Sequence, residues 1–208
     1  MGLFSIFGKG QKDVRIESTN DIKGDTCVIV KGSFAAGKQP GTGIIDTGEV
    51  FPSYIFRNGV CAEEIAEGKI DIAKVSENGK YRLDILSFYK ELMDVLISIP
   101  RDGFVLKVSI SLYPIEDSGV LDSLVGKMPA VTVKKGNYIE RCVTASMIGE
   151  YIAPAISGKI GKIVEGMAPD DIYENREEID TSIVKIPEFE ELGFQARTAF
   201  TRAYKKTE

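Results

Sequence analysis

Apolar residues recur along this chain with two spacings, every second position in some stretches and every third or fourth in others. The clearest two-residue run is Phe104 to Tyr113, where Phe104, Leu106, Val108, Ile110 and Leu112 alternate with Lys107, Ser109 and Ser111 before Pro114. It predicts a strand with one buried and one polar face. Phe194 to Tyr204 alternates as well and predicts a closing strand. Thr26 to Lys31 is β-branched and bounded by Gly24 and Gly32. Glu49 to Arg57 and Ile70 to Val75 also read as strands, set apart by the Asn58-Gly59 turn signal and Gly68, so the N-terminal third is predicted to be a small antiparallel β-meander.

Helical spacing appears in between and afterwards. Ile85, Tyr89, Leu92, Leu96 and Ile99 predict a helix over Asp84–Ile99, ended by Pro100. Asp117–Val125 reads as a short helix, and Asn137–Glu165 as a long helical segment interrupted at Pro154 and by Gly158 and Gly161. Pro169–Glu191 reads as a further helix whose N-terminus Asp170 and Asp171 favour and which Pro187 bends or splits. The predicted fold class is α+β. Residues 1–13 form an apolar N-terminal segment and linker, and 14–208 a single domain that is β-rich over 26–115, helix-rich over 116–192 and closed by a strand over 194–204.

The N-terminal segment stands out, because Leu3, Phe4, Ile6 and Phe7 crowd four large apolar side chains into seven positions. They are expected to contact a membrane surface, a neighbouring subunit or the domain itself. Ile6 occupies the place where a myristoylation signal needs Ser or Thr, so no lipidation is expected.

Composition narrows the chemistry. Across 208 residues, 43% hydrophobic and 27% charged positions describe a chain that folds around a core. A net charge of −5 repels phosphate backbones, and no nucleic-acid partner is expected. The chain contains no His, which removes the commonest metal ligand and general base. Cys27, Cys61 and Cys142 are widely separated and read as reduced thiols. No apolar run reaches the length of a spanning helix, so the expected location is cytoplasmic, either free or peripheral to the inner face of a membrane.

Three motifs could carry chemistry. Gly32 to Gln39 approaches a phosphate-binding loop, but Gln39 lacks the metal-binding hydroxyl and Pro40 cannot open the required helix. Ile44-Ile45-Asp46-Thr47-Gly48 matches the core of the aspartic-protease signature, and a single copy requires a homodimer for Asp46 to share its proton. Asp170, Asp171, Glu174, Glu177, Glu178 and Asp180 spread around a helix face with Arg176 among them and read as solvated. No catalytic residue, cofactor or metal ligand is assigned.

The order of several segments resembles one family. Glu49-Val50-Phe51-Pro52-Ser53-Tyr54-Ile55-Phe56-Arg57-Asn58-Gly59 resembles the opening hairpin of the SPFH superfamily (stomatin, prohibitin, flotillin and band 7), in particular its short bacterial virion-core-like branch. Glu67 to Ile72, Asp102 to Asp117, Ala168 to Ile179 and Glu191 to Ala196 resemble successive later steps of that family, so the likeness extends from about Glu49 to Tyr204. It implies a wedge-shaped α/β domain that associates laterally into rings or arrays and organises a membrane patch or a protein cargo without catalysis. An exposed edge over Phe194, Ala196, Thr198 and Phe200 is the expected subunit contact. Two alternatives are a dimeric aspartic hydrolase using Asp46 and a structural subunit of a virus-like or tail-like particle.

Overall fold

The protein is described from a computed structural model, which covers residues 14–35, 38–49, 51–66 and 68–205. In chain order the elements are β1 (Val14–Glu17), β2 (Asp21–Ile22), β3 (Asp25–Phe34), β4 (Gly43–Gly48), β5 (Ser53–Arg57), β6 (Val60–Ile65), β7 (Gly68–Asp71) and α1 (Ile72–Val75). There follow β8 (Leu83–Phe88), β9 (Met93–Pro100), β10 (Phe104–Pro114), α2 (Ser118–Lys127), β11 (Val131–Lys135), β12 (Tyr138–Thr144) and α3 (Ala145–Ile163). The chain closes with α4 (Pro169–Glu174), α5 (Arg176–Val184), α6 (Glu188–Glu191) and β13 (Phe194–Lys205).

The class is α+β. A large sheet has the strand order β11-β12-β3-β8-β5-β6, with β2 appended to β3, and every neighbouring pair in it is antiparallel. A second sheet runs β13-β10-β9, and a small one runs β1-β4-β7 with β1 and β4 parallel. The central strands of the large sheet, β3, β8 and β5, are covered on both faces, and alternation sorts their side chains between them. Tyr54, Phe56, Leu86 and Phe88 face the principal core, where they meet the inner face of the second sheet and the apolar side of α3. Ile55, Ile85 and Phe34 face the small sheet, packing on Ile45, Ile70 and Ile72. The order is non-sequential, so the predicted N-terminal meander does not exist: β3 pairs with β12 and β8, and of the strands predicted for the meander only β5 pairs with the strand that follows it, β6. Its turn is the predicted Asn58-Gly59, both residues having positive φ (52° and 83°), as a tight two-residue hairpin requires.

The predicted helix over Asp84–Ile99 is instead two strands. All six residues of β8 are buried, because the strand is central and covered on both faces. In β9 Met93, Val95 and Ile97 point inward while Asp94, Leu96 and Ser98 are exposed. Of the helix-spaced residues, Ile85 therefore belongs to β8 of the large sheet, Leu96 and Ile99 to β9 of the second sheet, and Tyr89 and Leu92 to the connection between them. The first part of the predicted Asn137–Glu165 helix is β12, and α3 then runs unbroken through Pro154, Gly158 and Gly161. Ile148, Ile152, Ile156 and Ile160, four apart and all fully buried, hold that helix against its own breakers. At Gly149 the helix lies close to β9, a Cβ there falling in ordinary contact with Val95 at 3.6 Å. The predicted helix over Pro169–Glu191 divides into three, with Asn175 ending α4 and Pro187 opening α6. The predicted helix-rich block thus contributes β11 and β12 to the large sheet.

Candidate functional site

Leu3, Phe4, Ile6 and Phe7 lie outside the described residues. Of the four residues expected on the closing edge, Phe194 is fully buried and Ala196 nearly so, and both side chains face the principal core rather than outward. Thr198 and Phe200 are exposed. They belong to the open outer face of the second sheet, where Leu96, Ser109 and Phe200 form one cross-strand row and Ser98, Lys107 and Arg202 the next. Leu96 is 61% exposed, yet Phe200 is partly claimed: the guanidinium groups of Arg176 and Arg202 each lie 4.7 Å from its ring centre. The same Arg176 also lies 5.9 Å from the Tyr173 ring, which places side chains from α4 and α5 beside the β13 edge.

The large sheet ends differently. Its outermost strands, β6 and β11, pair with no further strand among the described residues. Along β6, Val60, Cys61, Ala62 and Glu64 are exposed, Val60 at 69%. Along β11, Thr132 and Lys134 are exposed and Val131, Val133 and Lys135 half-buried. Neither edge was read from the pattern as such; Val131-Thr132-Val133 followed by Lys135-Gly136-Asn137, with Gly136 at φ 63°, was the available hairpin signal.

Where the sequence offered chemistry, the side chains serve the fold. Asp46 lies in the body of β4, on the outer face of the small sheet. Its Oδ2 accepts from Arg15 Nη2 at 3.2 Å, its Oδ1 from the Gly48 amide at 3.3 Å, and Lys69 is its cross-strand partner. Glu17 is its partner on the other side, across β1, and Arg15 lies between the two carboxylates, 3.9 Å from Glu17. Val14, Ile44 and Asp71 join these residues around a shallow depression of about 420 Å³. Gly32 to Phe34 continue strand β3 instead of opening a phosphate loop. Among the acidic residues of α4 and α5, Asp171 caps the Ala168 amide at 2.9 Å and Asp180 accepts from Thr201 Oγ1 at 2.6 Å. Among the described residues no group of three or more His, Cys, Asp or Glu could hold a metal ion, and no helix is long and apolar enough to cross a membrane.

A polar knot lies under the large sheet. Glu140 is fully buried and accepts from Thr19 Oγ1 (2.6 Å), Ser18 Oγ (3.0 Å) and the Thr19 amide (3.2 Å), with Lys135 Nζ at 2.8 Å. Cys27 and Cys142 are buried beside it, and their mutual hydrogen bond, with burial, pushes the Cys27 thiol well above its ordinary range. Ser18 and Thr19 tie the segment after β1 to β12 through Glu140, Lys135 adds β11, and Cys27 adds β3.

Burial raises the Asp180 carboxyl above its ordinary value, outweighing the Thr201 hydrogen bond. A raised native pKa means that protonation favours the folded state. The stabilisation is fully present below the unfolded value and is lost as pH rises through the native one. Asp180→Asn is therefore expected to be more stable than the parent at pH 7, with the difference closing in mild acid; a pH series of urea midpoints checks it, and a constant difference would remove Asp180 as the cause.

The chain matches no family model and no curated protein sequence.

Proposed function

We propose that this protein is a non-enzymatic, self-associating scaffold of the SPFH kind, which builds rings or arrays and organises a membrane patch or a protein cargo. The observation that carries the proposal is the large sheet, whose two edge strands pair with no further strand among the described residues, each a row of backbone donors and acceptors that another chain can complete. The ordered motifs in the sequence support it as well: the segment Asp102–Asp117 contains β10, Ala168–Ile179 contains α4 and the start of α5, and Glu191–Ala196 leads into β13. Leu3, Phe4, Ile6 and Phe7 serve in this proposal as an additional contact to a membrane surface or a neighbouring subunit.

Negative-stain electron microscopy and light scattering of the full chain, beside a chain lacking residues 1–9, test this directly. Rings, filaments or sheets are expected from the full chain, and their loss on deletion would assign the terminus to subunit contact. Particles of monomer mass at high concentration, with and without anionic lipid vesicles, would refute the scaffold.

A further inference from the structure

On the basis of the scaffold function just proposed, we infer that copies join head to tail through the large sheet, with β6 of one copy pairing antiparallel to β11 of the next. Direction comes first. Six strands lie along the sheet path and each runs opposite to its neighbour, so the two terminal strands run in opposite directions. A second copy placed beside the first, with its sheet in the same orientation, therefore meets β6 with a β11 antiparallel to it, and the alternation continues across the junction. Neither strand contains proline, and the register described below sets residues 63–65 of β6 against 133–135 of β11.

Face and charge select the register. Glu64 lies across from Tyr54, and the row continues through Leu86, Lys31 and Arg141 to Thr132. Lys134, two residues beyond Thr132, projects on that same face. Glu63 begins the neighbouring row, which passes through Ile55, Ile85, Gly32 and Glu140 to Val133 on the opposite face. Setting Glu64 of one copy opposite Lys134 of the next then places Glu63 opposite Lys135 and the half-buried Ile65 opposite Val133, with every residue on its proper face. A slip by one residue would reverse all of them.

Charges on edge strands ordinarily guard against pairing. That protection needs like charges to meet, whereas these edges carry opposite signs at facing positions. Glu63 and Lys135 already have internal partners, Arg57 at 3.1 Å and Glu140 at 2.8 Å. Glu64 and Lys134 are exposed and make no ion pair within 4.0 Å among the described residues, so they are the pair that a neighbouring copy completes. Because the two edges differ, the contact is heterologous, and repetition gives a closed ring or an open filament according to the turn per copy.

The test uses the full chain, E64K, K134E and their equimolar mixture, compared by sedimentation velocity at low ionic strength. Each variant alone sets like charges against each other, and its self-association is expected to weaken about tenfold. In the mixture each E64K copy meets K134E copies on both sides with opposite charges facing, so assembly returns to the parent level. Circular dichroism of the two variants checks that these exposed substitutions leave the fold intact. A parent chain that stays monomeric overturns both the scaffold and this pairing. A parent that assembles while both variants assemble equally well overturns the pairing alone, as does a mixture that fails to recover.

Discussion

Gly32→Ala is expected to cost about 3 kcal/mol, at the upper end for overpacking a core, and to lower the melting temperature by roughly 6–12 °C for a chain of this size. A Cβ at Gly32 would lie 1.7 Å from Tyr138 Oη and 2.1 Å from its Cζ. Tyr138 cannot swing aside, because it is fully buried, its ring centre lies 5.0 Å from that of Phe34, and Ile45 and Ile70 share its cluster. The tyrosine hydroxyl thus occupies the space that a side chain at position 32 would need. Shortening the ring removes the conflict, so in a Gly32→Ala/Tyr138→Leu double variant the two costs should fall short of additivity by more than about 1 kcal/mol. Denaturant midpoints of the four chains measure this. A Gly32→Ala chain within about 0.5 kcal/mol of the parent, the ordinary range of a surface change, would contradict the packing described.

Glu140→Ala is the second large effect, a loss of about 3 kcal/mol, in the range for breaking a buried ion pair by removing one partner. Three donors from Ser18 and Thr19 lose their acceptor at once, and Lys135, only 25% exposed at its side chain, is left with the Glu17 carbonyl. Replacing both charges, as in Glu140→Leu with Lys135→Met, should recover much of the loss, since no buried charge then remains. Hydrogen exchange adds a local signature: the Thr19 amide, donated to Glu140, should exchange faster in Glu140→Ala even under fully folded conditions. Unchanged protection there, together with unchanged stability, would show that the knot contributes nothing.

What the sequence revealed depended on how each element is buried. Phe104–Tyr113 was legible because β10 has one inward face and alternates without exception, and Asn58-Gly59 because its backbone conformation admits few residues. Strands covered on both faces were not. Leu83 to Phe88 and Cys142 to Thr144 bury consecutive residues, so the two-residue signal disappears and chance spacings resemble a helix. Pro154 was overweighted, because the isoleucine stripe of α3 supplies more than the proline removes. At the candidate site, the apolar N-terminal segment and the strand β13 are visible in the pattern, but alternation puts Phe194, Ala196, Thr198 and Phe200 on one face, whereas the irregularity between Ser111 and Leu112 in the β10–β13 register turns the first two into the core and the last two outward. Open edges are a property of strand order, and strand order depends on pairings between residues distant in sequence.

Those distant pairings also set a timetable for the nascent chain. The hairpin β5–β6 and the β9–β10 pair can form from neighbouring sequence as soon as they emerge from the ribosome. β3 cannot complete its ladder until β12 arrives, bringing Tyr138 to Phe34 and Cys142 to Val30, and β10 waits for β13, the last strand of all. Closing such long loops is slow, on the order of milliseconds to seconds. Throughout that interval the middle of the large sheet, with its unbroken apolar run Cys27-Val28-Ile29-Val30, stands as a temporary third edge, so a stretch that the finished protein buries almost completely is the one most in need of shelter during synthesis.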